Sequence, residues 1–228
     1  RIMGMLGLTV DMIRPTGTRL AAGESLLSAS GDARALHRAW KVSLNLVDRL
    51  SGIATKTDRM VRAARSVSPG IPILTTRKSM PGVKSFMTEA VMAGGADPHR
   101  LGLSETVLVF DNHISFLGGL DGFIAELPRI KRSLCEKKVF VEAGAQDARR
   151  LVAAGVDGIQ FDKLSCEELA AIVPELRAIE PHVTLIAAGG INLENVVEYA
   201  STGVDGIVTS CLFTARPIDM GTRLSPVR

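Results

Sequence analysis

Three kinds of signal are scarce in this sequence: cysteine, an excess of charge of one sign, and long apolar runs. The three cysteines (Cys135, Cys166 and Cys211) are far apart and form no CxxC pair. This excludes a disulfide framework and a structural zinc site, and it fits a reducing cytoplasm. The 27 basic and 24 acidic residues leave a net charge of +3. That balance argues against a nucleic-acid-binding scaffold, in which basic residues form runs.

No apolar run reaches the roughly 18 residues that a membrane span needs, and no basic and then apolar leader opens the chain. The first residue is Arg1 rather than Met, which predicts that an N-terminal portion is missing. With 228 residues, of which 46% are hydrophobic and 22% charged, the chain is long enough to bury a sizeable core. These features predict a mixed α/β enzyme of the cytoplasm that binds neither nucleic acid nor membrane.

The chain changes character near residue 36, which predicts a boundary between residues 1–35 and residues 36–228. Residues 1–35 are rich in Gly, Thr and Ser. They predict two or three antiparallel strands, too few for a stable sheet, and therefore the remainder of a small N-terminal domain. Beyond the boundary, Leu36, Trp40 and Leu44 begin an apolar stripe that predicts a long helix. Gly52 within it indicates close packing or the end of the helix.

From residue 70 onward, short apolar runs alternate with helical segments. The predicted strands are Ile71–Leu74, Val107–Val109, Val139–Val141, Gly158–Phe161, Thr184–Ala188 and Gly206–Val208. The predicted helices are Pro81–Ala93, Asp121–Leu134, Asp147–Ala154, Cys166–Ile179 and Glu194–Ser201. The uniformly apolar runs are typical of parallel strands buried on both faces, in a doubly wound sheet or a (β/α) barrel. The near-identical turns at 153–159 and 201–207 favour the barrel, and no GxGxxG follows the first strand.

Polar residues follow almost every predicted strand, at the end where barrel enzymes hold their chemistry. The basic ones are Arg77, Lys78, Arg100 and Lys163, joined by His99. Glu142 and Asp162 end successive strands and could hold Mg²⁺, which takes one or two carboxylates plus substrate phosphates. Gly189 and Gly190, with Ser210 after the next strand, are typical of a phosphate-binding loop. This set fits a phosphorylated sugar and an anionic co-substrate.

Each of these features also has an ordinary structural explanation. An Arg-Lys pair is commonly a solvated loop, and a Gly-Gly pair commonly makes a tight turn. Glu142 and Asp162 could form ordinary ion pairs with Arg77 or Lys163. The recurrence of charged or polar residues at one strand end after another, against apolar strand bodies, favours the functional interpretation.

Several of these segments resemble the quinolinate phosphoribosyltransferases, and the likeness spans nearly the whole chain. The matching segments are Ser51-Gly52-Ile53-Ala54-Thr55, Thr75-Thr76-Arg77-Lys78, His99-Arg100-Leu101-Gly102-Leu103, Asp111-Asn112-His113, Ala188-Gly189-Gly190-Ile191 and Thr202-Gly203-Val204-Asp205. Other stretches resemble the ModD branch of this family, which is associated with molybdate-transport genes. They are Trp40-Lys41-Val42, the continuation Ser104-Glu105-Thr106, and Leu164 after Asp162-Lys163.

The resemblance implies an incomplete (β/α) barrel of the type II phosphoribosyltransferase kind, preceded by part of an open α+β sandwich. It implies a homodimer in which one subunit completes the other's active site. It also implies transfer of phosphoribosyl from Mg²⁺-bound phosphoribosyl pyrophosphate to a pyridine nitrogen, with decarboxylation of quinolinate. Carried over by position, the roles divide into three groups. The substrate carboxylates would be held by Arg77, His99 and Arg100. The ribose and the metal-bound pyrophosphate would face Lys78, Glu142 and Asp162. The 5-phosphate would be held by Gly189, Gly190 and Ser210.

Four positions depart from the family's pattern. The family has arginine at Lys41, in the segment that reaches the partner's site, and asparagine at Lys163. It has lysine at Phe110 and glutamate at Phe140, so a cation and an anion have both become phenylalanine. Joint loss avoids leaving one charge unpaired in a partly buried site. The acceptor pocket is therefore expected to be less polar, which argues against quinolinate as the substrate.

Three hypotheses follow. The leading one is a phosphoribosyltransferase-like pyrophosphorylase of the ModD branch, with a small, anionic, heterocyclic acceptor. A second is a nicotinate-nucleotide pyrophosphorylase that uses quinolinate in NAD biosynthesis. A third is a barrel that binds a phosphorylated or oxyanion ligand without catalysis. Retention of Glu142, Asp162 and the glycine loop favours an enzyme, whereas Phe110 in place of lysine favours binding alone.

Overall fold

The structure, a computed structural model, describes residues 1–102 and 105–226. Two residues of the sequence motif that begins at His99, Leu103 and Ser104, lie outside the described residues. The N-terminal part contains helix α1 (Ile2–Met5) and an antiparallel pair, β1 (Thr9–Ile13) and β2 (Leu27–Ser30), with an irregular register between Val10 and Met12. The predicted antiparallel strands are therefore present as a single pair.

Helix α2 (Ala33–Arg65) runs for 33 residues and connects this pair to the rest of the chain. The Asp32 carboxylate caps its start by accepting hydrogen bonds from the backbone N–H groups of Arg34 and Ala35. Gly52 lies inside the helix, where a Cβ would overlap the carbonyl oxygen of Arg216. The C-terminal segment crosses α2 there, and the backbone N–H of Met220 donates to the Asp48 carboxylate. Gly52 thus marks close packing and not a helix end.

Seven parallel strands form the main sheet, and helices alternate with most of them. The strands are β3 (Ile73–Thr75), β4 (Asp97–Pro98), β5 (Val107–Val109), β6 (Val139–Glu142), β7 (Gly158–Asp162), β8 (Thr184–Ala188) and β9 (Gly206–Thr209). The helices are α3 (Lys84–Ala93), α4 (Asp111–Ser115), α5 (Gly119–Ser133), α6 (Ala145–Ala153), α7 (Cys166–Ile179) and α8 (Val196–Ala200), and a 3-10 turn covers Cys211–Thr214. The strand order is β4-β3-β9-β8-β7-β6-β5. Because the two outermost strands, β4 and β5, do not pair in the described residues, the barrel is incomplete, as predicted.

The strands alternate between two apolar layers. Val139, Val141 and Phe161 belong to the large core between the sheet and its helices. Phe140 and Ile186 point the other way, into a smaller cluster inside the barrel. This two-sided burial explains why the strands are uniformly apolar in sequence.

The repeated Gly-Val-Asp-Gly-Ile turns place an aspartate at the entry to β7 and another at the entry to β9. Asp157 accepts hydrogen bonds from the backbone N–H of Val139, at 2.7 Å, and from Lys131 Nζ, at 2.8 Å. Asp205 repeats the arrangement with the backbone N–H of Leu185 and with Arg177, both at 2.7 Å. Each aspartate therefore holds the start of a neighbouring strand, which is a structural role for the repeat.

The three cysteines are free, with Cys135 exposed and Cys166 and Cys211 partly buried. Among the helices of the described residues, none has both the length and the hydropathy that a bilayer crossing requires.

Candidate functional site

The strand-end residues predicted from the sequence lie along the carboxyl edge of the seven-stranded sheet. Because the strands are parallel, every one of these ends reaches the same edge. In chain order the residues are Arg77 and Lys78 after β3, His99 and Arg100 after β4, Phe110 after β5, Glu142 on β6, Asp162 on β7, Gly189 and Gly190 after β8, and Ser210 after β9. The sheet order places β3 and β4 at one side of this edge and β5, β6 and β7 at the other.

The side formed by β3 and β4 carries Arg77, Lys78, His99 and Arg100, here called the basic half. The backbone N–H of His99 donates to the Thr75 carbonyl at 3.0 Å, which holds the two strand ends together. Arg100 is 8% exposed, and its Nε has no hydrogen-bond partner among the described residues. Burial lowers the pKa of the Arg100 guanidinium, and the nearby Arg77 lowers it further. Burial likewise lowers the pKa of His99, with a smaller contribution from Arg100.

The side formed by β5, β6 and β7 carries Asp111, Glu142 and Asp162, here called the acidic half. Burial raises the pKa of Glu142, and the negative charges of Asp162 and Asp111 raise it further. The Glu142 carboxylate accepts one hydrogen bond, from Nε2 of Gln160 at 2.7 Å. A cleft of about 280 Å³ opens beside Glu142, with Asp111 and Asp147 in its lining. Within the described residues no three carboxylate, histidine or cysteine side chains come together as a set that could hold a metal ion, so any divalent cation here would depend on one or two carboxylates and on ligand oxygens.

Asp162 and Lys163 form an ion pair, with Nζ 3.0 Å from Oδ2. One of the two ordinary ion pairs considered from the sequence is therefore present. Glu142 instead hydrogen-bonds to Gln160. Lys163 has a φ of +62°, the left-handed conformation that residues other than glycine seldom adopt.

The loop after β8 contains two glycines in the left-handed region, with φ of +85° at Gly189 and +73° at Gly190. A Cβ on Gly189 would lie 2.5 Å from Oδ1 of Asp162, so only glycine fits there. Within the described residues, nothing beyond the neighbouring residues of the chain lies within 4 Å of a Cβ built on Gly190, so there is open space beside that residue. The hydroxyl of Thr209 donates to the Ile191 carbonyl at 2.7 Å and ties this loop to the end of β9.

One detail of the glycine loop differs from the expectation. The sequence predicts that the loop opens directly into a helix over Glu194–Ser201, but α8 covers only Val196–Ala200. Asn192 and Asn195 form a turn between the two, in which the Asn195 side-chain oxygen accepts from the backbone N–H of Asn192 at 2.8 Å. Asparagine side chains compete with helical hydrogen bonds in this way. Any phosphate held here would therefore rely on the glycine backbone and not on a helix N-terminus.

Phe110 and Phe140 both contribute to the apolar cluster inside the barrel. Phe140 is 5% exposed, and its ring occupies the space over Gly158, where a Cβ would overlap it. Glu142 follows Phe140 by two residues on β6, and Gln160 follows Gly158 by two on β7, with the strands in register. The acidic half therefore lies directly above this apolar cluster, here called the apolar floor.

Lys41 lies away from these residues, on the N-terminal half of α2. Its ammonium is 5.2 Å from the centroid of the Trp40 ring, and in the described residues no hydrogen bond or ion pair joins it to the strand ends. Ser210 is partly buried and precedes the 3-10 turn, and its carbonyl accepts a hydrogen bond from the backbone N–H of Phe213.

Gln160 is a site residue that the sequence reasoning missed. It is 6% exposed, and its amide oxygen has no hydrogen-bond partner within the described part of the chain. A signal was available, because Gln160 is a polar residue inside an otherwise apolar strand and stands two positions before Asp162. A period of two along a strand places such residues on the same face.

Comparison with known proteins gives a consistent result. Residues 1–51 match the description "Quinolinate phosphoribosyl transferase, N-terminal domain", and residues 53–223 match the C-terminal domain of the same family. The "Putative pyrophosphorylase ModD" of Escherichia coli O157:H7 is 34% identical over 99% of this chain and 80% of its own length. The "Probable nicotinate-nucleotide pyrophosphorylase [carboxylating]" of Methanothermobacter thermautotrophicus is 36% identical, over 91% of this chain and 75% of its own.

Among solved structures, the nicotinate-nucleotide pyrophosphorylase from Francisella tularensis has a TM-score of 0.83 to this fold. It is 27% identical, and the alignment covers 94% of this chain and 75% of that one. Sequence, fold and the distribution of charge along the strand ends thus agree. The chain belongs to the quinolinate phosphoribosyltransferase family and is an enzyme of the phosphoribosyltransferase kind.

Proposed function

We propose that this enzyme transfers phosphoribosyl from phosphoribosyl pyrophosphate to a nitrogen of a small anionic heterocycle. The bond between the ribose C1 and the pyrophosphate oxygen breaks, and pyrophosphate leaves with the electron pair. A bond from the acceptor nitrogen to C1 replaces it. One observation carries the proposal: on one edge of the sheet, the glycine loop lies between a group of cations around the buried Arg100 and the carboxylates of Glu142 and Asp162. Such an edge suits a phosphorylated donor and an anionic acceptor that bind next to each other at the glycine loop.

The basic half supports an anionic acceptor. Arg100 is buried beside a second arginine, so a carboxylate bound there would offset their mutual repulsion and occupy the unpaired donor. Burial lowers the pKa of His99, which favours the neutral imidazole as a hydrogen-bonding group. In this proposal Arg77, His99 and Arg100 hold the acceptor's carboxylate, and its ring extends toward Phe110, just after the end of β5.

The acidic half supports the donor. We assign Mg²⁺ to Glu142 and Asp162, because two carboxylates on neighbouring strands fit an ion that keeps its remaining positions for water and phosphate oxygens. When bound, Mg²⁺ would neutralise charge that builds up on the departing pyrophosphate. Lys78 would face the ribose and the pyrophosphate. The open backbone at Gly190, with Gly189 and Ser210, would hold the 5-phosphate.

Calorimetry tests this assignment. Phosphoribosyl pyrophosphate is titrated into the wild type with and without Mg²⁺, into Asp162→Ala, and into Asp121→Ala, which removes an exposed carboxylate paired to Arg150 outside the strand ends. We expect metal-dependent binding by the wild type and the Asp121 variant. Asp162→Ala should bind at least about tenfold more weakly, a loss seen even for outer-shell partners of metals. Unchanged binding by Asp162→Ala would contradict the proposal.

A second assay separates turnover from binding. The wild type is supplied with Mg²⁺, phosphoribosyl pyrophosphate and a panel of pyridine mono- and dicarboxylates, and release of pyrophosphate is measured. Release with at least one acceptor is the expected result. Tight binding with no release across the panel would favour the hypothesis of a barrel that only binds its ligand.

We also propose a homodimer with shared active sites, in which Lys41 reaches the partner's acceptor. Lys41 is exposed and lies next to Trp40 and Val42, and the Val42 side chain is 58% exposed. Exposed apolar surface on a helix fits a subunit contact, with the charge of Lys41 at the polar rim of that contact. Light scattering at micromolar concentration should give the mass of a dimer. A monomeric mass with ligand binding intact would contradict this part of the proposal.

The alternative activity is that of a nicotinate-nucleotide pyrophosphorylase, which makes nicotinate mononucleotide from quinolinate. The Methanothermobacter relative, which carries that name, favours it. The apolar cluster that contains Phe110 and Phe140 argues against it, because quinolinate brings two carboxylates that need cations.

The three free cysteines support a cytoplasmic location. The link to molybdate uptake rests on the resemblance to ModD alone and stays a prediction.

A further inference from the structure

Lys163 places a positive charge on the carboxylate that the proposed function assigns to Mg²⁺. Its Nζ lies 3.0 Å from Oδ2 of Asp162. The same cation lies close enough to Glu142 to oppose the rise in the pKa of that carboxyl. Lys163 is therefore the one cation in the described residues that influences both carboxylates of the proposed metal site.

The backbone fixes this placement. The backbone N–H of Lys163 donates to the Ala188 carbonyl at 2.8 Å, which ties the end of β7 to the end of β8. The residue is held at a φ of +62°, a conformation that costs a non-glycine residue roughly 1 kcal/mol or more. Asparagine tolerates this conformation better than lysine. The local geometry alone therefore does not favour a lysine at this position.

The glycine loop is built around the same pair. A Cβ on Gly189 would lie 2.5 Å from Oδ1 of Asp162, 2.6 Å from Cγ of Lys163 and 2.7 Å from its backbone nitrogen. The Asp162–Lys163 pair and the proposed phosphate loop are thus in direct contact. Lys163 therefore lies where the loop that would hold the 5-phosphate meets the carboxylate that would hold the metal-bound pyrophosphate.

The ion pair itself is weak enough to exchange. The Lys163 side chain is 77% exposed and that of Asp162 is 39% exposed, and ion pairs of this kind contribute at most about 1 kcal/mol. The ammonium can therefore turn from the carboxylate to a phosphate oxygen at little cost. Lysine acts at phosphates as a flexible point charge of this kind.

Resting on the proposed function, we infer that Lys163 is a tethered cation of the pyrophosphate subsite, which shares Asp162 with the divalent metal and binds pyrophosphate oxygens directly. This role has two consequences of opposite sign. Lys163 competes with a divalent ion for Asp162, so free metal binds the protein more weakly. Lys163 also offers charge to pyrophosphate, so pyrophosphate binds even when metal is absent.

The experiment measures metal binding and pyrophosphate binding separately, in the wild type and in three variants: Lys163→Asn, Lys163→Arg and Lys137→Asn. Lys137 is an exposed lysine just before β6, so its variant carries the same change of net charge away from the strand ends. Mn²⁺ is titrated into each protein without phosphate ligands. Inorganic pyrophosphate is titrated separately in the presence of a metal chelator. Thermal unfolding shows that each variant is folded, and the asparagine suits the left-handed backbone.

Lys163→Asn should bind Mn²⁺ about three- to fivefold more tightly than the wild type, which corresponds to the upper range for an exposed ion pair. It should bind metal-free pyrophosphate about fivefold or more weakly, whereas Lys163→Arg retains that binding. Lys137→Asn should match the wild type in both titrations.

The inference is overturned if Lys163→Asn behaves as Lys137→Asn does in both titrations. Such a result, with Mg²⁺-dependent binding of phosphoribosyl pyrophosphate intact in the wild type, would leave the proposed function standing. If the wild type binds no phosphoribosyl pyrophosphate with Mg²⁺, the proposed function is wrong and this inference falls with it.

Discussion

In both the basic half and the acidic half of the strand-end edge, burial and a neighbouring like charge shift pKa values, but in opposite directions. In the basic half, burial lowers the pKa of Arg100 and of His99, and like charge adds to the effect at both. In the acidic half, burial raises the pKa of Glu142, and like charge again adds to the effect. The charged form is therefore disfavoured at Arg100 and His99 in the basic half and at Glu142 in the acidic half.

Because the pKa shifts are of opposite sign, the two halves should bind ligands of opposite charge. A buried group disfavoured in its charged form gains most from a ligand of opposite charge. The basic half thus suits an anion, and the acidic half suits a cation. An anionic acceptor and a metal-bound pyrophosphate would satisfy both at once, with the glycine loop between them.

The two phenylalanines sharpen this separation of charge. Phe110 directly precedes Asp111, and Phe140 lies two residues before Glu142, so both belong to the acidic half. A lysine at Phe110 would place a cation among the carboxylates, and a glutamate at Phe140 would place a carboxylate on the apolar floor. With phenylalanine at both positions, Lys163 is a cation that pairs with Asp162 and also acts on Glu142.

The largest expected effect comes from putting these charges back. The wild type should turn over quinolinate about two to four orders of magnitude less efficiently than a family member that has arginine, lysine and glutamate at positions 41, 110 and 140. The reason is that each charge-assisted hydrogen bond contributes roughly 1.5–3 kcal/mol. Phe110→Lys with Phe140→Glu and Lys41→Arg should gain quinolinate turnover more than additively over the single changes. Formation of nicotinate mononucleotide by the wild type, the singles and the triple variant measures this.

Thermal unfolding of the same variants provides the control. Phe140→Glu alone should be the least stable, because it leaves space over Gly158 and a carboxylate on an apolar floor. Adding Phe110→Lys should recover part of the lost stability. Efficient quinolinate turnover by the unmodified protein would show that the pocket is that of a nicotinate-nucleotide pyrophosphorylase.

The architecture could be predicted from the sequence because the strands are buried on both faces. Five of the seven parallel strands lie within a residue of their predicted bounds, and β3 is displaced toward the C-terminus. Strand β4 was missed because Asp97 and Pro98 form a two-residue bridge with no apolar pattern. Helix α4 was missed because Asp111–Ser115 is too short for helical periodicity to show.

The individual site residues were found more completely than their interactions. Charge at strand ends is visible in a sequence, because parallel strands bring their ends to one edge. The bond between Glu142 and Gln160 is not visible, since it depends on the register of β6 against β7. The contact between Gly189 and the Asp162–Lys163 pair depends in the same way on how β8 follows β7. Register is a tertiary property, which no local pattern specifies here.

The smallest expected effect compares the stability of the two halves as pH changes. The raised pKa of Glu142 means that its contribution to stability is present below the ordinary glutamate pKa of about 4.3 and is lost as pH rises through the folded-state pKa. Glu142→Gln should therefore unfold at a higher temperature than the wild type at pH 8, and this advantage should shrink toward pH 4.5. The gain in Tm should be small, because Glu142 is only partly buried and solvent screens its charge.

His99 should show the opposite dependence. Its pKa is lowered in the folded state, so its contribution is present above the ordinary histidine pKa of about 6.5 and is lost as pH falls through the folded-state pKa. His99→Gln should match the wild type near pH 8 and exceed it in stability toward pH 5. Differential scanning calorimetry of the wild type and both variants from pH 4.5 to 8 measures the two trends together. Parallel pH profiles for Glu142→Gln and His99→Gln would contradict the opposite electrostatic character of the two halves, because a general loss of packing would move both variants alike.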